Sequence, residues 1–407
     1  MKVFIKTFGC RVNQVESQAL LEQFLSRGHM ITADFKEADL CLLNTCSVTH
    51  NADKDADREI RKITKNNPAA KLIITGCYAM AAKEKLSAAY PQAQIIFKHQ
   101  IASELFGADI DWAVKEHAGH SRAFVKIQDG CDCFCSYCIV PYTRPYKTSK
   151  PKDILLKEIK NLIANNYREI VLTGINIGNY RCPQTNADLA DILPDIFALE
   201  GNFRIRFSSI EINTISDRLL AAAAAGKGKF CSYFHIPLQS GSDAVLKHMR
   251  RKYTAGEYLH SVKKIQKILP GAAIFCDIIA GYPTESRQDF DISLKFLDEA
   301  GFAGLHVFSY SAREGTPAAA LEQIPPGVIR KRADILRAKD KQLRVDYAQS
   351  LVGGIHQFLA EEETSSTVSG VLENFQRVII KGAHKTGELS PVKIISAKDG
   401  ICSGIFL

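Results

Sequence analysis

The stretch Gly130-Cys131-Asp132-Cys133-Phe134-Cys135-Ser136-Tyr137-Cys138 packs four cysteines into eight residues, directly after an apolar run, Phe124–Gln128, that reads as a β-strand. Three of them, Cys131, Cys135 and Cys138, are spaced C-x3-C-x2-C. Soft thiolates this close together on one loop can grip a single metal centre. Three of them fit three irons of a [4Fe-4S] cluster and leave the fourth iron open to a substrate, so such a centre would do chemistry as well as carry electrons. The rival reading is a zinc loop with Cys133 as fourth ligand. Structural zinc more often draws on two separated pairs of ligands, a pattern that four crowded cysteines match poorly.

The chain around this loop has 407 residues, 46% of them hydrophobic, which is enough for two or three domains with their own cores. Its twelve cysteines come without a secretory apolar region, since Met1–Lys6 reads at once as a strand. That combination points to a cytoplasmic protein with metal or redox thiols rather than a disulfide framework. The alanine run Ala221–Ala225 is too short to cross a membrane, so no membrane partner is expected. A net charge of +8 suits a polyanionic partner such as RNA.

From Met1 to about residue 115 the pattern alternates strand and helix. Strands are expected at Val3–Lys6, Asp39–Leu43, Leu72–Thr75 and Gln94–Phe97, with helices over Val15–Arg27, Ala52–Thr64 and Ala79–Ala89. Such alternation predicts a parallel sheet covered on both faces. The first three strands each run into a cysteine: Phe8-Gly9-Cys10, Asn44-Thr45-Cys46 and Thr75-Gly76-Cys77. In a parallel sheet all carboxyl ends share one edge, where ligands bind in open α/β folds. Cys10, Cys46 and Cys77 are therefore expected to meet and to hold a second metal centre, again a cluster with one free iron. The alternative is three ordinary core cysteines; those would sit inside strands, as Cys41 does.

Residues 116–346 read as six strand-helix units, with strands near Phe124–Gln128, Glu169–Thr173, Arg204–Phe207, Phe234–Pro237, Ala273–Ile279 and Gly304–Phe308. Six units predict a partial (β/α)6 barrel, whose active site would lie on the loops after the strands. Ile329–Tyr347 reads as a long basic linking helix, most simply a solvated face, with tracking of phosphates the alternative. Five short strands then follow in residues 347–407 and suggest a small β-barrel.

Lys6–Ser17, Asn44–Thr49 and Thr75–Ala79 carry the three N-terminal cysteine motifs, and with the Cys131–Cys138 loop they resemble the radical S-adenosylmethionine (SAM) methylthiotransferase family over essentially the whole chain. The resemblance implies two [4Fe-4S] clusters and SAM as cofactors. The Cys131, Cys135, Cys138 cluster would bind and cleave SAM, and the resulting 5′-deoxyadenosyl radical would open an inert aromatic C–H. The Cys10, Cys46, Cys77 cluster would deliver sulfur methylated by a second SAM. It also implies SAM contacts at Tyr137, Gly174, Asn176, Ser209, Glu211, Gln239, Arg251, Ile279 and Gly281, with Arg251 at the SAM carboxylate and Ile279 and Gly281 near the adenine. Leu372–Val378 resembles the RNA-binding TRAM domain of this family, a structural lid being the alternative. Two positions depart from the family pattern: Arg144-Pro145 stands for Arg-Gly, and Thr148-Ser149 for Arg-Ser.

Within the family, substrates divide among threonylcarbamoyl adenosine in tRNA, isopentenylated adenosine in tRNA and an aspartate of a ribosomal protein. The segments around Cys10 and Cys46, with His306–Ser311 and Arg313–Pro317, look most like the threonylcarbamoyl branch. That substrate carries a carboxylate, which favours cationic neighbours, and Lys6 and Arg313 are the candidates. The expected partners are the tRNA anticodon loop and a low-potential electron donor such as flavodoxin or ferredoxin. A two-cluster redox or RNA-binding protein without turnover is the reading from another class.

Overall fold

The computed structural model describes residues 1–117, 119–382 and 384–407. The chain forms two compact units. The first comprises Met1–Lys115, Asp129–Thr148 and Ser311–Ala319; the second comprises Glu116–Gln128, Ser149–Tyr310 and Ala320–Leu407.

In the first unit, β1 (Lys2–Thr7), β2 (Met30–Ile31), β3 (Leu40–Thr45), β4 (Lys71–Gly76) and β5 (Gln94–Ile95) form one parallel sheet in the order β2-β1-β3-β4-β5. The period of two sorts its side chains between two cores. Phe4, Cys41, Leu43 and Ile74 face one, and Val3, Leu40, Leu42 and Ile73 the other. This is why β3 is apolar and buried along its length, as expected for a strand covered on both faces. Helix α1 (Arg11–Ser26) starts four residues earlier than its apolar periodicity suggests, because Cys10 stands at its N-cap and its first turn is polar. The expected helix over Ala79–Ala89 is two short helices, α3 (Cys77–Ala81) and α4 (Lys83–Ala89), while α2 (His50–Asn66) is capped by the Thr49 hydroxyl.

In the second unit, β6 (Arg122–Lys126), β7 (Glu169–Thr173) and β8 (Arg204–Phe207) form one parallel sheet, and β9 (Tyr233–His235), β10 (Ala273–Ala280) and β11 (Gly304–Ser309) another. Isolated parallel bridges Ile205–Phe230 and Ser209–His235 join them into a six-strand arc. Ile170, Leu172, Ile205, Phe207, Ile274 and Cys276 pack with the surrounding helices. The intervening residues, Glu169, Arg204, Arg206, Tyr233, Phe275 and Asp277, point to the inner side of the arc.

Helix α5 (Pro326–Ser350) leads to β12 (Ile355–Glu363), β13 (Thr367–Leu372), β14 (Arg377–Lys381), β15 (Leu389–Lys398) and β16 (Ile401–Phe406), which close a barrel in the order β12-β13-β14-β16-β15. A buried ionic knot ties this small barrel to the six-strand arc. Glu169 accepts from Arg204 Nε at 2.7 Å and from Arg206 Nε at 2.6 Å and Nη2 at 3.0 Å. The remaining guanidinium donors reach main-chain carbonyls of the small barrel: Arg204 to Gln357 at 2.7 Å and Val371 at 3.1 Å, Arg206 to Leu372 and Glu373 at 3.2 Å. Phe375 stacks on Arg206 and Arg122. Burial alone would raise the Glu169 pKa, but Arg206 and Arg204 outweigh it and hold it at about 2. A depressed carboxyl stabilises the fold above its unfolded pKa, and that contribution is lost as pH falls toward 2. Glu169→Gln leaves two buried guanidinium groups without a counter-charge. We expect it to cost roughly 3–5 kcal/mol, read as a drop in urea midpoint at neutral pH that shrinks toward pH 2.

Candidate functional site

The register of the first sheet brings the three N-terminal cysteines together. Thr7 pairs with Asn44, and Asn44 with Thr75, so the strands end nearly level. Cys10, Cys46 and Cys77 each follow within three residues. Cys46 and Cys77 are buried and Cys10 is exposed, as suits a centre anchored at the sheet edge and open on one side. Burial pushes the Cys46 thiol up to about 11, and the charges of Cys77 and Cys10 add to that rise. Three thiols this close repel one another as thiolates, and a bound cation relieves the repulsion. Gly9 has φ +90°, and a Cβ there would lie 2.6 Å from Cys46 Sγ. The backbone before Cys10 thus passes against the Cys46 thiol with no room for a side chain. This donor set fits an iron-sulfur centre.

The second cysteine loop belongs to the same compact unit. Cys131, Cys135 and Cys138 stand within eight residues of one another on it; hydrogen bonding from Cys133 lowers the Cys131 thiol pKa, against the opposing effects of burial and of the neighbouring Cys138 and Cys135 charges. Backbone N–H of Cys133 points to Cys131 Sγ at 3.5 Å. Cys138 N donates to Cys135 O at 3.0 Å, closing a turn between the two cysteines. The segment Ser311–Ala319 holds the loop from without, through Ala318 N to Ser136 O at 2.8 Å. Phe134, at φ +45°, and Tyr142 form an exposed edge-to-face aromatic pair beside the cysteines, and Tyr146 is exposed nearby in sequence. Tyr137 is half-buried on the loop.

Arg313 lies on Ser311–Ala319, buried, with Nη2 donating to Asp53 Oδ2 at 2.5 Å and to Ser47 Oγ at 2.8 Å. Ser47 is the residue after Cys46. Nε and Nη1 of Arg313 have no partner among the described residues. Lys6 is exposed near the carboxyl end of β1.

The predicted SAM contacts lie in the second unit, except Tyr137. Arg251 forms an ion pair with Glu211 and donates from Nε to Tyr253 OH at 2.9 Å, so two residues predicted separately are partners. Asn176 is buried, with its N–H on Gln128 Oε1 at 2.9 Å and its Oδ1 accepting from Gly178 N at 3.2 Å. Gln239 is held at φ +69° between β9 and β10 by bonds to Asp277 and Ile279. This is backbone strain of the kind found where a site demands it. The close neighbour of Gly174 is the Gln128 carbonyl, 2.9 Å from where its Cβ would be. Gly281, at φ +77°, packs against Ile329 and donates to Glu285 Oε2 at 2.9 Å.

Sequence reasoning names Ser209 as a SAM contact and His306 in a branch segment, but does not bring together the group they form with His235 and Asp277. His235 Nε2 lies 2.6 Å from Asp277 Oδ1, His306 Nδ1 lies 3.2 Å from both, and Ser209 Oγ meets His235 Nδ1 at 2.7 Å. Burial would raise the Asp277 pKa, yet hydrogen bonds from the two imidazoles bring it to about 2. Its only signal in sequence is polar residues at barrel positions where apolar ones would be expected.

Six parallel strands in an arc and a three-cysteine loop define a radical SAM enzyme, which uses an iron-sulfur cluster and SAM. The comparisons agree. Residues 125–297 match the radical SAM superfamily, and residues 2–98 match an uncharacterized protein family, UPF0004. A radical SAM methyltransferase, TsrM from Kitasatospora setae, shares the fold with a TM-score of 0.59 over 78% of this chain and 77% of that one, at 12% identity. A threonylcarbamoyladenosine tRNA methylthiotransferase, MtaB from Chlamydia pneumoniae, is 35% identical over 91% of this chain and 89% of that protein. MtaB from Bacillus subtilis is 33% identical over 97% and 94%. A tRNA-2-methylthio-N(6)-dimethylallyladenosine synthase from Methylacidiphilum infernorum is 33% identical over 97% and 92%. The chain belongs to the radical SAM methylthiotransferases. No helix among the described residues is long and apolar enough to cross a membrane.

Gly9→Ala tests the N-terminal cysteine cradle. It forces a side chain onto Cys46 and should lower the iron bound after anaerobic reconstitution. Gly28→Ala, at φ +79° with nothing within 4 Å, imposes similar backbone strain and should leave iron content unchanged. Equal iron in both variants would contradict the cradle.

Proposed function

We propose that the enzyme methylthiolates carbon 2 of N6-threonylcarbamoyladenosine at position 37 of tRNA. The observation that carries the reading is that both three-thiol sets, Cys10, Cys46, Cys77 and Cys131, Cys135, Cys138, fall within one compact unit. Each set would hold a [4Fe-4S] cluster, the first for sulfur and the second for SAM. When bound, these groups supply radical chemistry able to open an unactivated aromatic C–H, together with the sulfur that replaces the hydrogen. The chain's own part is to hold and shield. The sheet edge fixes Cys46 and Cys77 in a buried setting, and Cys10 leaves one side open. Asn176, Glu211 and Gln239 follow the ends of barrel strands and Arg251 is paired with Glu211; SAM would be bound and oriented by them. A low-potential flavodoxin or ferredoxin would deliver the electrons.

The substrate reading is supported by the relatives' names and by charge. A net charge of +8, exposed Arg377, Lys381, Lys393 and Lys398 on the small barrel, and exposed Phe134, Tyr142 and Tyr146 suit RNA. Basic groups meet phosphates and aromatic rings stack on unpaired bases. The threonylcarbamoyl group ends in a carboxylate, for which Arg313 offers Nε and Nη1. Asp53 already balances its charge, so Arg313 would act as an oriented donor, with Lys6 the exposed cation. An isopentenyl group would instead want an apolar pocket.

Nucleosides from a deletion strain give the substrate by mass spectrometry. The 2-methylthio derivative of threonylcarbamoyladenosine should disappear; loss of the isopentenyl derivative instead would place the enzyme in the other tRNA branch. In vitro, changing Cys10, Cys46 and Cys77 together to Ala should preserve 5′-deoxyadenosine formation and abolish sulfur insertion. Cys133→Ser should keep the full iron load of about eight per chain. Loss of half the iron would make Cys133 a ligand.

A further inference from the structure

Arg144 connects the two cysteine constellations. Its side chain is buried, with the residue only 4% exposed, and it stands just after the short helix Val140–Thr143 that follows the cysteine loop. Nη1 donates to Asp129 Oδ1 at 2.6 Å, and Asp129 is two residues before Cys131. Nη2 donates to Asn13 Oδ1 at 2.5 Å, and both arms reach Glu16, at 3.3 and 3.4 Å. Asn13 is the relay. Its Nδ2 donates to Phe8 O at 2.9 Å and Thr45 O at 3.1 Å, the carbonyls just before the Cys10 and Cys46 turns. One guanidinium and one amide thus join the start of the Cys131 loop to two of the three N-terminal cysteine turns. Gly130, at φ +75°, lets the loop fold back tightly, since a Cβ there would lie 2.4 Å from Tyr146 O and 3.0 Å from Arg144 O.

Charge does not account for this arrangement. Arg144 and Lys98 face Glu16 and Asp129, two cations against two anions. A salt bridge that served stability alone would need only the carboxylates. The arm on Asn13 adds direction, because a planar fork engages two partners at a fixed angle where an ammonium would not.

We propose that Arg144 is a positioning residue that fixes the Cys131–Cys138 loop against the Cys10 and Cys46 turns, so that its loss uncouples SAM cleavage from sulfur insertion. The proposal rests on the two-cluster reading above. Sulfur can be inserted only if the reacting partners meet in a near-attack arrangement, and an ångström of misplacement can cost on the order of a hundredfold. Cleavage of SAM draws on the Cys131–Cys138 loop and the SAM contacts, and does not require the Cys10 and Cys46 turns.

The experiment compares wild type, Arg144→Gln and Arg144→Lys after anaerobic reconstitution. Three quantities are read: iron per chain, 5′-deoxyadenosine formed per methylthiolated nucleoside, and the magnetic interaction between the two reduced clusters by electron paramagnetic resonance. Both variants should hold wild-type iron. The ratio should rise about tenfold in Arg144→Gln, and the interaction signal should change in both, because neither residue reproduces the fork. Lys keeps a cation opposite Glu16 and Asp129, so it preserves the ion pair if Gln does not fold. A Lys variant with wild-type ratio and spectrum would overturn the proposal and leave a plain stabilising ion pair. Wild-type protein saturating near four irons would instead remove the two-cluster reading beneath it.

Discussion

Parallel hydrogen bonding in the first sheet is the constraint from which the site follows. A parallel ladder forces every connection to cross back over a face, so all strands deliver their carboxyl ends to one edge. Because Thr7, Asn44 and Thr75 lie in register, cysteines 36 and 31 residues apart in sequence are delivered to one edge. An antiparallel sheet would put alternate turns at opposite edges and scatter them. The two cores on either face of β3 secure that register, since a slip of one residue would exchange Leu42 and Leu43 between them.

The six-strand arc obeys the same period of two with a different outcome. Its outward residues are apolar and pack on helices, while its inner side carries ionisable groups at two places. The Glu169 knot faces the small barrel, and Asp277 with its two histidines lies along β9, β10 and β11. In both, a carboxylate stays ionised against the penalty of burial because two cationic or hydrogen-bonding partners converge on it.

Much of this was legible in sequence. Strand alternation, the cysteines at strand ends and the short strands of the tail are local patterns, and local patterns survive without coordinates. What stayed hidden depends on pairs far apart in the chain. Arg144 was visible only as a residue before an unusual Pro145; its partners Asn13 and Glu16 are about 130 residues away. Arg251 and Glu211 each read as ligand contacts, and nothing local shows that they bind each other. The histidines at 235 and 306 look like isolated polar residues until adjacent strands place them beside Asp277. Ser311–Ala319 reads as a barrel loop, yet packs with the N-terminal unit through Arg313 and Ala318.

The Glu169 knot also orders events in time. A ribosome releases the chain from its N-terminus, and Arg204 and Arg206 emerge some 150 residues before the carbonyls of Gln357 and Val371–Glu373 that complete their coordination. Until those last strands are made, the six-strand arc carries two guanidinium groups whose outer donors only water can serve. The arc therefore cannot reach its final dryness during synthesis. Completion of the small barrel acts as a closing step that seals the larger one.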